Sequence, residues 1–258
     1  MSAPSAIEFL VEFPITSGDL ASLSEERRTM YALLSFAINE LNTLGRLSGF
    51  AAHPPCGQEN IDIVSAIQSA TVLRVWSAKL FELFDALESC EKQVAADAGL
   101  LEFIVEFKNR FSQQRQSEGY SVARNIRHES TNHYKFDAIR KNLNFIDESA
   151  NCKLQFHSLL GNSFYPYGEE IAFVGRINRH FSSSKDSLKG PEQIQLWMAW
   201  NLEVTKLANE VFQRFLKKFI IGAFPKRRGS RKTYWIPPSL VAEIGSVKVP
   251  VFIRKSEL

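Results

Sequence analysis

The sequence predicts an all-α protein, an antiparallel helical bundle with a small irregular or β-type C-terminal tail. Apolar residues recur at intervals of three and four over most of the 258-residue chain, which is the periodicity of amphipathic helices. Short stretches rich in Gly, Pro and Ser separate these segments. Because short connections place successive helices side by side and antiparallel, the two observations together predict a bundle.

The first helical segments can be bounded by their capping and turn residues. Ser22 and Glu25 have the spacing of a capping box at the start of the first helix. Gly45 and Gly49, followed by "HPPCG" at residues 53–57, are expected to close this helix. A second helix is predicted from about residue 60 to 91, and a third over residues 98–116. The second has a broad apolar face and therefore requires neighbours on more than one side.

Later segments have their own start signals. Asp137 is expected to cap a helix over residues 138–150. Glu169 and Glu170 are expected to open a helix to about residue 181, because acidic side chains are favourable at a helix start. Pro191 suits the first turn of the last helix, which is predicted to run to about residue 221. Residues 152–168 lie between the helix that Asp137 caps and the helix that Glu169 opens. They lose the helical period, which predicts a short strand or an ordered loop there.

The pattern changes after residue 222. The segment "FPKRRGSRKTYWIPP" breaks helicity, and "SVKVPVFI" near the end of the chain has the character of a short strand. We therefore expect a helical bundle domain over residues 1–222 and a basic, irregular extension over residues 223–258.

The composition is that of a globular protein. Hydrophobic residues make up 45% and charged residues 23% of the chain, close to the usual shares and far from those of disordered or fibrous proteins. Three cysteines without metal-type spacing favour reduced thiols, and no secretory leader or apolar run of about 18 residues is seen. These features predict a cytoplasmic protein that does not associate with membranes and uses neither a metal nor another cofactor.

The net charge of +3 identifies no partner by itself, but its distribution is uneven. No acidic residue lies between Glu210 and Glu243, whereas eight Lys and Arg residues and several aromatic residues do. This mixture suits phosphate contacts combined with base stacking. The predicted RNA-binding residues are Lys226, Arg227, Arg228, Arg231 and Lys232. The alternative is a helix end stabilised by cations and followed by a solvated loop.

A dense polar stretch, "SVARNIRHESTNHYKFD", covers residues 121–137 and holds two Arg, two His and two Asn within ten positions. A histidine with a reference pKa of about 6.5 can exchange protons near neutral pH. Arginine offers a planar fork of donors that matches phosphate. Proton exchange and phosphate binding could therefore take place within this one short stretch.

Within this stretch, Arg127 is followed directly by the polar His128, and five residues separate Arg127 from His133. This arrangement resembles the signature of the HEPN superfamily, small helical bundles that include metal-independent ribonucleases of toxin–antitoxin, CRISPR and antiphage systems. The resemblance implies that His133 is the acid/base and Arg127 the phosphate ligand. The supporting residues would be Arg124, Asn125, His128, Asn132 and Tyr134. It also implies RNA as substrate, a homodimer, and an antitoxin or another defence-system protein as partner.

The spacing constrains how such a site could form. On an ideal helix, positions six apart point roughly 120° away from each other, so Arg127 and His133 would not share a face. The hypothesis therefore needs a distorted turn, a helix end, or a site assembled across a two-fold axis. The rival interpretation is a non-catalytic helical interaction or nucleic-acid-binding protein, in which the same turn is a solvated surface.

Overall fold

A computed structural model of the chain describes residues 5–51, 54–127, 136–158, 162–182 and 191–237. Within these ranges the protein is mostly helical, which confirms the predicted fold class. The helices are α1 (Ser17–Leu20), α2 (Glu25–Ala51), α3 (Glu59–Cys90), α4 (Ala98–Gln114), α5 (Glu118–Ile126), α6 (Phe136–Arg140), α7 (Pro166–Glu169), α8 (Gly175–Ser182) and α9 (Pro191–Phe215). The strands are β1 (Ser5–Glu12) and β2 (Ser230–Ile236).

Among the described residues, two helices contain a complete π turn, in which the backbone hydrogen bonds span one residue more than in an α-helix. One π turn, Glu170–Val174, joins α7 to α8, so that these two elements form one helix with a widened middle. The other, Leu216–Ile220, extends α9 and passes into a short 3₁₀ turn, Ile221–Ala223. A further 3₁₀ turn covers Leu143–Phe145.

Helix α3 lies at the centre of the bundle and contacts α2, α4, α5 and α9. Apolar residues lie on several faces of α3, so this helix can pack against more than one neighbour. The side chains that it buries include Leu73, Trp76, Leu80, Phe84 and Leu87. Each large apolar side chain that is removed from water contributes about 1.5–3 kcal/mol, so α3 supplies much of the apolar contact that holds the bundle together.

The capping box predicted for Ser22 and Glu25 is wrong, whereas α2 ends at Ala51, inside the region of residues 45–57 that was predicted to close it. Helix α2 begins at Glu25, and it is the Ser24 hydroxyl that accepts a hydrogen bond from the Arg27 amide. The helix also continues past Gly45 to Ala51. Gly45 faces α3, where an added Cβ would lie 3.4 Å from the Trp76 ring. Gly45 therefore lies in the contact between α2 and α3, at an ordinary packing distance from Trp76, and does not end the helix.

Other boundaries follow the sequence more closely. Helices α3 and α4 match the predicted ranges to within two residues. Residues 152–158 and 162–165 are not helical, as predicted, and Gln155 and Phe164 form an isolated antiparallel bridge there. The helix predicted over residues 138–150 is instead the short α6, which ends at Arg140. Asp137, however, lies inside the first turn of the short α6 and does not cap it. Helix α7 begins at Pro166, three residues before the predicted acidic start.

The N-terminal strand pairs with the basic segment. Strands β1 and β2 form an antiparallel ribbon from Ser5 opposite Ile236 to Glu12 opposite Ser230, with an irregularity between Ile7 and Leu10. Residues 230–236 lie in the tail that the sequence predicts to be irregular, and the sequence predicts no element over residues 5–12. The short strand predicted over residues 246–253 lies outside the described residues.

Candidate functional site

Helix α5 positions the first half of the predicted Arg/His site. Ser117 caps it, its hydroxyl accepting from the Tyr120 amide at 3.3 Å. Val122, Ala123 and Ile126 face the core. At Gly119 the helix touches α9 so closely that an added Cβ would lie 2.4 Å from the Leu196 carbonyl oxygen. The close contact fixes α5 against α9 and directs its C-terminal end towards the surface.

Arg127 caps the C-terminus of α5 and is anchored by α3. Its Nη2 donates to Asp85 Oδ2 at 2.7 Å, and its guanidinium carbon lies 4.9 Å from the centre of the Phe81 ring. The side chain is 26% exposed. An Arg127 fork held by an ion pair and a cation–π contact has a defined orientation, and its outer part reaches solvent.

Arg115, at the end of α4, is held in the same way. Its Nη2 donates to Glu88 at 2.6 Å, and its guanidinium lies 5.1 Å from the centre of the Phe111 ring. Glu88 lies three positions after Asp85 on α3, so the two arginines anchor neighbouring elements to one helix. This arrangement is consistent with a structural role in both cases, and it makes Arg115 a matched control for Arg127.

The supporting residues on α5 differ in their surroundings. Arg124 is exposed. The Asn125 side chain donates to the Ser121 carbonyl oxygen at 2.8 Å, which engages it with its own helix. The Asn125 carbonyl oxygen also accepts from Nη2 of Arg176 at 3.3 Å. Arg176, on α8, is 7% exposed; it adds a buried positive charge behind the end of α5.

Arg176 was not among the predicted site residues. Its sequence neighbours do carry a signal, since it lies directly before Ile177 and three positions after Phe173, both of which are buried. An arginine on an otherwise apolar helix face requires a hydrogen-bonding environment inside the protein. The remaining predicted residues of the motif, His128, Asn132, His133 and Tyr134, lie outside the described residues.

The predicted RNA-binding residues lie on and just before β2. Lys226, Arg227, Arg228, Arg231 and Lys232 are all exposed. Arg227 forms an ion pair with Asp19 at 2.8 Å. Within the described ranges, no acidic side chain pairs with Lys226, Arg228 or Lys232. By contrast, Arg214 and Lys218 at the end of the last helix pair with Glu106 and Glu102 on α4.

Strand alternation distributes cations and aromatic rings over both faces of β2. Arg231 and Trp235 lie on one face and Lys232 and Tyr234 on the other, because successive side chains in a strand point in opposite directions. Trp235 is 66% exposed and Tyr234 42% exposed. The ribbon thus presents a positive charge and an accessible aromatic ring on each face, a combination that suits a single-stranded nucleic acid.

Three comparisons were made with known proteins. Neither the protein-family models, nor the curated proteins, nor the solved structures contain a match to this chain. Among the described helices, none has the length and apolarity needed to cross a bilayer. In the same part of the chain, no three His, Cys, Asp or Glu side chains converge as metal ligands would.

Proposed function

We propose that the protein is a metal-independent endoribonuclease of the HEPN type, with its active site at the C-terminal end of α5. The observation that carries the proposal is the placement of Arg127, whose oriented guanidinium lies at the surface directly before the two histidines of the motif. The helical bundle class agrees with that family. Asp85 is 55% exposed, and since an ion pair of this kind is weak in water, a phosphate can share the guanidinium.

The reaction needs one proton acceptor, one proton donor and a positive charge. In the proposed mechanism, His133 takes the proton from a 2′-hydroxyl, and the 2′-oxygen attacks phosphorus as the bond to the 5′-oxygen breaks. Arg127 stabilises the charge on the phosphoryl oxygens with its fork of N–H donors. A protonated histidine returns a proton to the leaving 5′-oxygen. The products are a 2′,3′-cyclic phosphate and a 5′-hydroxyl.

The homodimer is part of the proposal. A site centred on a two-fold axis would bring two copies of Arg127 and His133 around one phosphate, and symmetric pairing is the commonest oligomeric form. It follows that a mixture of Arg127→Ala and His133→Ala chains should recover part of the cleavage that each has lost. Light scattering should give the mass of a dimer. Cleavage by a strictly monomeric protein would contradict this arrangement.

The decisive experiment is RNA cleavage by the purified chain in the presence of a chelator. We expect His133→Ala to lower the rate by about a hundredfold or more, and Arg127→Lys to lose most activity, because an ammonium lacks the bidentate fork. Arg115→Ala is the control, because it removes the same kind of anchor from α3. Equal residual cleavage in the folded Arg127→Ala and Arg115→Ala variants, or no cleavage by the unaltered chain, would contradict the proposal.

The proposed biological role is that of a toxin or defence effector that an antitoxin or another defence-system protein restrains. On this hypothesis, expression of the chain arrests bacterial growth and its His133→Ala variant does not. Growth arrest by both would separate toxicity from RNA cleavage and contradict the role.

The second candidate function is non-catalytic RNA binding by the ribbon, favoured by its exposed cations and aromatic rings. Replacing Lys226, Arg228 and Lys232 by Gln should reduce the salt dependence of single-stranded RNA binding by about two units of logarithmic slope. The matched control replaces Arg214 and Lys218, whose charges are paired with α4. If the salt dependence fell by the same amount per removed charge in both sets, the ribbon would not be a specific binding surface.

A further inference from the structure

A largely apolar cavity of about 320 Å³ lies between α2, α3, the π turn of residues 170–174 and α9. Its apolar walls include Ile63, Ile67, Leu73, Phe173, Trp197 and Met198, and the acidic residues Glu169 and Glu170 also belong to its lining. Cavities of this size with few polar groups are typical binding sites for small organic molecules. The RNA-cleavage proposal makes no use of it.

Hydrogen bonds fix the Trp197 wall of the cavity. The indole Nε1 donates to Ser77 Oγ at 2.5 Å, and that hydroxyl donates to Asn201 Oδ1 at 2.8 Å. Asn201 Nδ2 in turn donates to the Leu73 carbonyl oxygen at 3.3 Å. These groups are buried, so the network is shielded from water and holds the ring in one orientation. The shape of the cavity is therefore set before a ligand enters.

Glu169 and Glu170, the two acidic residues of the cavity lining, have different surroundings. Both oxygens of Glu169 accept hydrogen bonds from Arg74, whose guanidinium lies 5.2 Å from the centre of the Phe173 ring. Glu170, by contrast, has no hydrogen bond or ion pair through its side chain within the described residues. Its burial, and secondarily the charge of Glu169, raise the pKa of Glu170 above its usual value.

The position of Glu170 depends on the π turn. It is the first residue of that turn, and Phe173 and Val174 of the same turn also line the cavity. π turns are rare and concentrate at functional sites. The widened turn thus supplies the polar group and part of the apolar wall from five consecutive residues.

We propose that this cavity binds a small organic cation, with an apolar ring placed between α3 and α9 and an ammonium group that donates to the Glu170 carboxylate. The charges of Arg74, Glu169 and ionised Glu170 sum to minus one. A cationic head group neutralises that charge, whereas a neutral ligand leaves a partly buried carboxylate without a counterion and an anion is repelled. This inference goes beyond RNA cleavage and is independent of it.

The test compares two probes of equal shape, 2-naphthylmethylamine and 2-naphthylmethanol, by calorimetric titration of the full chain at about pH 8, where the amine is protonated and the carboxylate ionised. We expect the amine to bind at least about tenfold tighter than the alcohol. In the Glu170→Gln variant this preference should disappear while the affinity for the alcohol stays unchanged. Glu203→Gln, on the exposed side of α9, should retain the preference.

A second pair of variants tests the location. Ala70→Phe fills the cavity and should abolish binding of both probes. Ala66→Leu narrows the exposed side of the cavity and should weaken the binding of both probes. This smaller change serves as the test if the Ala70→Phe chain does not fold. Unfolding curves establish that each variant is folded. The proposal is overturned if neither probe binds the unaltered chain, if amine and alcohol bind equally, if Glu170→Gln keeps the preference, or if folded cavity variants bind both probes as before.

Discussion

Among the described glycines, Gly119 has the least space for a side chain. An added Cβ would lie 2.4 Å from the Leu196 carbonyl oxygen and 2.7 Å from Trp200 Cβ, and neither atom belongs to a flexible side-chain end. Gly119→Ala should therefore lower the free energy of unfolding by about 1–3 kcal/mol. Gly49→Ala on α2, where a Cβ meets no atom within 4 Å, should raise it by up to about 1 kcal/mol. Urea unfolding measures both, and equal effects would contradict the close α5–α9 contact.

Asp97 gives a pH-dependent prediction. Its carboxylate accepts from Arg27 Nε at 2.7 Å and caps α4 through the Gly99 and Leu100 amides. The Arg27 hydrogen bond is the main cause of a lowered pKa of Asp97. A carboxyl with a lower pKa in the folded state stabilises the fold above its unfolded-state pKa, and this contribution is lost as the pH falls through the folded-state value.

Asp97→Asn keeps a good helix cap and removes only the charge. At neutral pH it should therefore lower the free energy of unfolding by less than about 1 kcal/mol, because the Arg27 side chain is 37% exposed. The difference from the unaltered chain should shrink as the pH falls below about 4. Unfolding curves at a series of pH values test this, and a difference that grows in acid would show that the ion pair is not its source.

The site was only partly predictable at the level of residues. The charged stretch after residue 121 and the exposed basic segment are visible in the sequence because polar and charged residues are dense there. The anchoring of Arg127 by Asp85 and Phe81 is not, because both partners lie some forty positions earlier on another helix. The role of Glu170 also escaped prediction, since a Glu-Glu pair at a helix start has an ordinary explanation in the helix dipole.

Among the helices, the contact of α3 with α9 contains the buried network of Ser77, Trp197 and Asn201. Ser77→Ala removes the acceptor of the indole N–H and the donor to Asn201. Each buried group left without a partner costs about 1–3 kcal/mol, so the variant should be clearly less stable than the unaltered chain. Ser35→Ala, on the exposed side of α2 with a bond only to the Ala32 carbonyl, should change little. Matching unfolding curves for the two variants would contradict the importance of the network.

The helix boundaries were predictable where the apolar period is long and uninterrupted. Helix α3 has a long apolar period without glycine, and its ends follow the sequence. Helix α2 does not end at Gly45, because the contact with Trp76 compensates the low helix propensity of glycine. Strand β1 was missed because a strand gains its hydrogen bonds from a partner, and its partner β2 lies at the other end of the described chain.

For the molecule as a whole, the ribbon joins the N-terminal segment to the basic segment. Deleting residues 1–12 removes the strand that satisfies the backbone groups of β2. Amide hydrogen exchange in residues 230–236 should then become fast, whereas the amides of α9, which pack in the bundle core, should keep their protection. Unchanged protection of β2 in the shortened chain would show that other contacts hold it in place.

The same ribbon sets an order for folding. Its two strands lie more than two hundred positions apart, so pairing them in an unfolded chain would close a loop of that length, with an entropy cost that grows with loop length. The helices form from local contacts, and only the assembled bundle brings the two strands together. We therefore expect the ribbon to form after the bundle, which leaves two unpaired strand edges in the intermediate. Such edges favour association between chains, and a high protein concentration during refolding should reduce the yield of folded protein.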